Sequence, residues 1–202
     1  MPRIKILFLL IFLAAKSIPG LAQKKTLSSP WHFQSIVNVG LLEGQTGSAF
    51  QVQTINGANY KSWFAGVGLG LDYYRVRTIP LFIDIRKEFG KSSGKFFVYA
   101  DGGISFGWAT DMQKTGYWLN DQFHNGFYND AGLGYQTTVG KKSALSISLG
   151  YSYKKVNESY SSPYYYTPNY FFTDPGIMPQ NDTKEQISYS LNRLSMKIGW
   201  TF

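Results

Sequence analysis

The chain of 202 residues has no cysteine and few charged residues, and each shortage excludes a class of protein. Without cysteine it can have no disulfide scaffold, no thiolate metal site and no cysteine nucleophile. Charged residues make up 16% of the chain, against about 25% in ordinary soluble domains. A disordered chain would be rich in charge and poor in aromatics, whereas here 17% of the residues are aromatic. The mean hydropathy of −0.20 also disfavours a bundle of membrane helices. The length favours one domain.

The first 22 residues have the pattern of a secretory signal peptide. Arg3 and Lys5 precede an apolar run over residues 6–15, and Gly20-Leu21-Ala22 forms a small-x-small cleavage pattern. A membrane anchor is disfavoured because ten apolar residues cover only about half of a bilayer core. The sequence therefore predicts a cleaved signal peptide, residues 1–22, followed by a single mature domain, residues 23–202.

Removal of the signal peptide lowers the net charge. The leader contains Arg3, Lys5 and Lys16, so the mature chain keeps 17 of the 20 basic residues against 12 acidic residues and carries +5 instead of +8. This mild charge on an exported chain gives no reason to expect a nucleic-acid partner. We expect a monomer.

From Trp31 onward, apolar and polar residues alternate with period two, which predicts β-strands with unlike faces. No segment shows the 3.6-residue apolar period of a helix. The clearest example is the segment 62–74, in which large apolar side chains share one face and glycines share the other. We count eight such segments: 31–41, 48–55, 62–74, 79–89, 96–108, 127–139, 145–153 and 194–202.

One irregularity lies before the last segment. Ile187, Tyr189 and Leu191 are apolar at odd positions, whereas from Leu194 onward the apolar residues are at even positions. A bulge near Asn192 would shift the register by one residue. Alternatively, residues 187–191 lie beyond the membrane.

The links between segments differ in length. Those after the second, fourth and sixth segments are short, whereas those after the fifth and seventh are long, over residues 110–125 and 157–186. Short turns at one end and longer loops at the other are typical of an up-and-down barrel in an outer membrane.

The composition of the second face separates a membrane barrel from a soluble one. That face carries mostly Gly, Ser, Asn and Gln and lacks the Lys and Glu density of a solvated surface, so it suits the crowded lumen of an eight-stranded barrel. We predict a closed eight-stranded antiparallel up-and-down transmembrane β-barrel, and the alternative is a soluble, lipocalin-like barrel for a small ligand. Aromatic residues near the segment ends would form interfacial girdles: Trp31, Trp63, Tyr73, Trp108, Tyr151, Tyr153 and Trp200.

The final residues, Met196-Lys197-Ile198-Gly199-Trp200-Thr201-Phe202, add a more specific pattern. Together with the leader and the eight segments, they resemble the small outer-membrane barrels of Gram-negative bacteria of the OmpA/OmpX type. The resemblance implies a place in the cell outer membrane, contact with outer-membrane lipid, and Ile198, Trp200 and Phe202 as the signal read by the barrel-assembly machinery. No peptidoglycan-binding domain follows Phe202, so we do not expect the cell-wall tethering role of full-length OmpA proteins.

Eight charged residues fall on the predicted lumen face. Burying them is costly unless they form pairs, so we predict lumenal ion pairs in which Arg86, Arg193 and Lys197 meet the carboxylates. The alternative is an ion pathway, which eight strands leave little room for. The candidates are Asp72, Asp84, Arg86, Glu88, Asp101, Asp130, Arg193 and Lys197.

Signals for a cofactor, a metal or catalysis are weak. Residues 66–70 alternate glycine with apolar residues but lack the ending of a phosphate loop. His32 and His124 are the only histidines and have no metal-ligand spacing. His124 lies beside Asp121 and Asn125, but no motif marks a partner serine for a lipid-modifying enzyme. We expect no cofactor, no metal and no catalysis, and retain the enzyme as a minor alternative.

The most individual feature is the aromatic, proline-containing stretch 159–180. Tyrosines supply contact area at low entropic cost, which suits recognition of an extracellular ligand. The stretch could equally pack over the barrel mouth on Tyr117, Trp118 and Phe123. We predict a structural or surface-interaction role carried by the two long outer loops, with these recognition candidates: Tyr160, Tyr164, Tyr165, Tyr166, Tyr170 and Phe171.

Overall fold

The computed structural model describes residues 31–45, 47–74, 76–91, 94–108, 119–140, 143–163 and 182–202. The predicted signal peptide, residues 1–22, lies outside the described residues. Within these ranges no helix is long or apolar enough to span a bilayer.

The described chain forms nine antiparallel strands, as the period-two alternation predicts. Their bounds are β1 Trp31–Gly44, β2 Gly47–Tyr60, β3 Trp63–Asp72, β4 Thr78–Lys91, β5 Gly94–Gly107, β6 Leu119–His124, β7 Gly126–Val139, β8 Ser143–Pro163 and β9 Asp182–Thr201.

The strands close into a barrel because the last strand pairs with the first. β1 pairs with β2 and β9, and the ladder continues through β3, β4, β5, β7 and β8 back to β9. The short strand β6 pairs with β8 directly beyond β7, so β6 and β7 together form one of eight wall strands. The predicted closed eight-stranded barrel is confirmed.

The two ends of the barrel differ. One end, here called the turn end, holds the links β2–β3, β4–β5 and β7–β8, together with Trp31 and Phe202. The backbones of Ser35 and Phe202 exchange two hydrogen bonds of 3.0 Å there. The opposite end, the loop end, holds the links β1–β2, β3–β4, β5–β6 and β8–β9.

Large apolar side chains cover the outside of the barrel. The outward residues run from Trp63, at the start of β3, to Tyr73, directly after its end, and these two are 51% and 42% exposed. Ten steps of about 3.3 Å, inclined at about 40°, give an apolar band about 25 Å tall. That height matches a bilayer core. The lipocalin-like alternative requires the reverse arrangement, with the apolar face inside.

The lumen contains aromatic rings as well as the expected small and polar residues. Ile36, Ile55, Phe64, Phe82 and Tyr128 form a buried cluster inside the wall. Glycines on neighbouring strands give the rings their space. The lumen is therefore a packed core.

Both predicted long loops contain strand residues. The predicted loop 157–186 contains the last part of β8 and the first part of β9, and the predicted loop 110–125 contains β6. The register between β8 and β9 is continuous through Asn192, so of the two alternatives offered for this irregularity the bulge is wrong. Leu191 instead faces inward and packs against the buried cluster of Leu42, Ala49 and Tyr74.

Candidate functional site

Three aspartates lie side by side in the lumen. Asp84 on β4 is opposite Asp101 on β5, and Asp101 is opposite Asp130 on β7. All three are buried, with at most 4% exposure. Like charges placed opposite each other on paired strands repel, so this row requires cations from elsewhere in the barrel.

Arg86 supplies the first cation. It lies two positions after Asp84 on the same strand and therefore on the same inner face. Its Nε and Nη2 atoms donate hydrogen bonds of 2.8–2.9 Å to both carboxylate oxygens of Asp84. The guanidinium carbon lies 5.4–6.0 Å from the ring centroids of Phe64, Phe97 and Tyr99. Aromatic rings thus surround this ion pair in place of water.

Lys197 supplies the second cation from β9. Its Nζ atom lies 3.1 Å from Asp130 Oδ2 and 3.5 Å from Asp101 Oδ2. Tyr99 and Ser195 each donate a hydrogen bond to Asp130 Oδ1, at 2.9 and 3.0 Å. The carboxylate oxygens of Asp101 accept no hydrogen bond from the described residues, so its contact is the ion pair with Lys197.

Lys154 forms a third buried pair that sequence reasoning missed. Its Nζ atom contacts the carboxylate of Asp72 and donates a 2.6 Å hydrogen bond to Thr78 Oγ1. Both charged side chains are at most 1% exposed. The sequence did contain a signal for this pair, because Lys154 follows at the next even-numbered position and so shares an inner face with the residues before it on β8: Ser146, Ser148, Gly150 and Ser152. The predicted strand ended one residue too early, at Tyr153.

Arg193 and Glu88 occupy opposite ends of the lumen. Arg193 donates hydrogen bonds to the backbone carbonyls of Leu42, Gly47 and Tyr74, near the loop end. The Tyr74 hydroxyl donates a hydrogen bond to Ser152 Oγ inside the wall. At the turn end, Glu88 accepts a 2.6 Å hydrogen bond from Lys95, whose side chain is 37% exposed.

Most of the buried charges in the barrel interior are matched. Four buried aspartates, at positions 72, 84, 101 and 130, accompany four buried basic side chains, at positions 86, 154, 193 and 197, and a fifth buried acid, Glu158, accepts a hydrogen bond from Tyr189. The ion pairs among them are at most 7% exposed, so bulk water does not reach them. Such a network fixes side chains on neighbouring strands inside the barrel. It offers no exposed nucleophile for chemistry on a substrate.

The β8–β9 ladder continues at the loop end beyond the point where β1 stops, and residues 152–163 of β8 with residues 182–193 of β9 are here called the β8–β9 extension. The pairing of β1 with β9 stops at Glu43 and Leu194, whereas β8 and β9 remain paired as far as Pro163 and Asp182. Twelve further residue pairs correspond to about 40 Å of strand. A cavity of about 500 Å³ lies where β1 ends, lined by residues that include Glu43, Tyr151 and Arg193.

The extension carries a histidine–serine contact. His124 Nε2 lies 2.6 Å from Ser159 Oγ on the outer face of β6 and β8. Ser159 is thus a hydrogen-bonding partner of His124 that no sequence motif had indicated. The side chain of Asp121 lies outside the described residues, and within them Asn125 shows no contact with this pair. Among the described residues, no group of three or more His, Asp or Glu side chains is arranged to hold a metal ion.

The recognition candidates lie mostly outside the described residues. Tyr164, Tyr165, Tyr166, Tyr170 and Phe171 belong to the range 164–181, which the structure does not describe. Tyr160, predicted in the loop, instead belongs to β8, because the β8–β9 ladder continues past it.

The three residues of the predicted assembly signal share the outer face of the wall. Ile198 and Trp200 lie opposite Val39 and Val37 on β1, and Phe202 hydrogen-bonds through its backbone to Ser35. Their side chains are 44–60% exposed. The terminal pattern is thus presented on the surface of the seam that closes the barrel.

The fold resembles that of a known outer-membrane protein. The outer membrane protein OprG from Pseudomonas aeruginosa is 10% identical, with a TM-score of 0.50 over 84% of this chain and 95% of that one. A de novo designed transmembrane β-barrel is 14% identical over the same shares, with a TM-score of 0.39. No protein-family model and no curated protein matches the chain.

Proposed function

We propose that the protein is an outer-membrane barrel whose occluded wall anchors and displays the β8–β9 extension at the cell surface, in a structural or surface-interaction role without catalysis. The turn end then faces the periplasm and the loop end faces the medium. The observation that carries the proposal is the twelve-pair continuation of β8 and β9 beyond the point where β1 stops.

The buried ion pairs of the lumen support a role other than transport. Ion pairs with at most 7% exposure, including those of Asp84, Asp130 and Lys154, would have to break for a solute to pass. Removing one partner from a buried pair costs about 3–5 kcal/mol, which makes a conducting state rare. The barrel thus serves as an anchor.

The absence of cysteine permits a direct test of display. The variants Ser188→Cys, on the extension, and Lys61→Cys, at the turn end, each carry one thiol. We expect a membrane-impermeant maleimide to label Ser188→Cys on intact cells and to label Lys61→Cys only after the outer membrane is permeabilised. Equal labelling of both variants on intact cells, or labelling of Lys61→Cys alone, would contradict the proposed orientation.

Conductance tests the occluded lumen. Purified barrel in planar bilayers should show no stable open-channel current, and Lys197→Gln, which removes a cation shared by Asp101 and Asp130, should show brief openings. Steady conductance by the unaltered protein would contradict the structural role.

The His124–Ser159 contact keeps the lipid-modifying enzyme open to test. We expect cells that express the protein and cells that express His124→Ala to have the same lipid A acylation pattern by mass spectrometry. An acyl change that depends on both His124 and Ser159 would establish catalysis and overturn this part of the proposal.

A further inference from the structure

Two lysines face outward at the turn end and have no acidic partner in the part of the chain that the structure describes. Lys61 lies in the link between β2 and β3, and Lys87 lies on the outer face of β4 between Ile85 and Phe89. Within the described residues neither forms an ion pair. The adjacent Glu88 faces inward and is bound by Lys95. The outer surface here is therefore positively charged.

Lys87 is held in place by the neighbouring turn. Its Nζ atom donates a 2.7 Å hydrogen bond to Ser62 Oγ and lies 4.6 Å from the ring centroid of Trp63. The N–H of Glu88 also donates a 2.8 Å hydrogen bond to the carbonyl of Ser62, which fixes the turn against β4. Because Ser62 Oγ accepts from Lys87, its own proton remains available for another acceptor.

Lys61 is positioned by an unusual backbone conformation. Its φ of 58° lies in the left-handed region, which a non-glycine residue seldom adopts outside a turn. The Nζ atom lies 5.3 Å from the ring centroid of Tyr60, and Tyr60 packs against Trp31 with centroids 4.8 Å apart. These amphipathic rings are of the type that sits at headgroup level. The two ammonium groups thus flank one turn at the edge of the apolar band.

We propose that Lys61, Lys87 and the Ser62 hydroxyl bind the phosphodiester headgroup of an anionic phospholipid. The lysines supply positive charge, and the hydroxyl supplies a hydrogen-bond donor. The exposed Trp63, opposite Lys87, and the exposed Ile85, two positions nearer the bilayer centre, contact the acyl chains. Continuity with the apolar band favours a lipid over a soluble anion. Among the described residues around these lysines no carboxylate faces outward, which favours an anionic headgroup over one that carries an amine. The placement in the leaflet facing the periplasm rests on the proposed function.

Native mass spectrometry of the purified barrel tests the site. The barrel is released from micelles that contain equal amounts of phosphatidylglycerol and phosphatidylcholine, and the ratio of the two lipid adducts is measured. Each lysine near an anionic surface contributes about fivefold to binding. We expect the phosphatidylglycerol preference to fall about tenfold or more in Lys61→Gln/Lys87→Gln and to persist in Lys87→Arg.

Lys155 provides the matched control, because it also faces outward but lies on β8 at the loop end. Lys155→Gln should keep the preference of the unaltered protein. Equal adduct ratios in the unaltered and double-variant proteins would overturn the site, as would displacement of phosphatidylglycerol by an excess of inorganic phosphate, which would indicate a soluble anion. Heat-modifiable gel migration shows that each variant is folded.

The lipid measurement and the surface labelling can fail independently. The adduct ratio is measured on purified protein and does not depend on which way the barrel faces in a cell. Loss of the predicted labelling pattern with an intact lipid preference would reject the proposed function alone. The predicted labelling with no lipid preference would reject the headgroup site alone.

Discussion

Arg86 binds Asp84 through three N–H···O contacts of 2.8–2.9 Å, although the two residues lie only two positions apart on one strand. Their side chains point into the same lumen, where aromatic rings replace water as the surroundings. An inward i, i+2 pair can thus neutralise itself within one strand and does not depend on the register of its neighbours.

The buried pair predicts a large effect of Asp84→Asn. The variant leaves the Arg86 guanidinium buried without its carboxylate, so we expect the free energy of unfolding to fall by about 3–5 kcal/mol. Urea unfolding of the barrel in lipid vesicles, followed by tryptophan fluorescence and gel migration, measures the change. Glu88→Gln is the control, because its partner Lys95 is partly exposed and the expected loss is at most about 1 kcal/mol. Equal losses would contradict the assignment.

Lys154 and Lys155 are neighbours with opposite environments. Lys154 is fully buried against Asp72, whereas Lys155 faces outward. We expect Lys154→Gln to lower the free energy of unfolding by about 3–5 kcal/mol and Lys155→Gln to change it by at most about 0.5 kcal/mol. The double variant Asp72→Asn/Lys154→Gln should recover part of the loss, because it leaves no unpaired charge. Failure of that recovery in the same unfolding assay would show that the lysine acts by packing alone.

Gly68 makes room for the ring of Phe82 across the β3–β4 ladder. A Cβ atom at position 68 would overlap ring atoms of Phe82, which is buried and has little space to move. We expect Gly68→Ala to cost about 1–3 kcal/mol in the unfolding assay and Phe82→Leu to relieve part of that cost in the double variant. Gly102→Ala is the control, because nothing lies within 4 Å of a Cβ atom there. Equal costs at both glycines would refute the steric explanation.

Phe202 is predicted to act during assembly and to contribute little to the finished barrel. We expect Phe202→Ser to reduce the heat-modifiable, folded fraction in cells several-fold, while the purified variant refolds in vesicles as the unaltered protein does. Phe33, also exposed and aromatic, is the control. If Phe33→Ser lowers the folded fraction equally, loss of an exposed ring explains the result and the assembly signal is wrong.

The sequence was sufficient to predict the strands of the barrel wall and their faces, because the inward and outward residues are chemically different. Period-two alternation placed Asp72, Asp84, Asp101 and Asp130 on one face, and the structure has all four inside. Alternation is a local property, so it needs no knowledge of which strands are neighbours.

Which side chains fill the lumen could not be predicted from the sequence, because it depends on which residues of different strands lie opposite each other. Phe82 can point inward because Gly68 lies opposite, and Phe97 because Gly134 lies opposite. A glycine and an aromatic residue on different segments become a complementary pair only through the register. The ends of β8 and β9 were missed for a related reason. Ile187, Tyr189 and Leu191 do alternate on β9, but residues 157–163 of β8 are mostly polar on both faces, so polar pairs such as Asn157 with Ser188 did not mark a strand.

The seam between β1 and β9 joins almost the whole length of the described chain, with Val39 opposite Ile198. Closing so long a loop costs entropy before its contacts form, so we expect this pairing to be the slow step of folding. Until the last strand arrives, β1 offers an open edge to which a strand of another chain could add. During export β1 can therefore pair either with β9 of its own chain, which closes the barrel, or with a strand of another chain, which leads to aggregation. Which pairing forms first depends on the order in which the strands emerge.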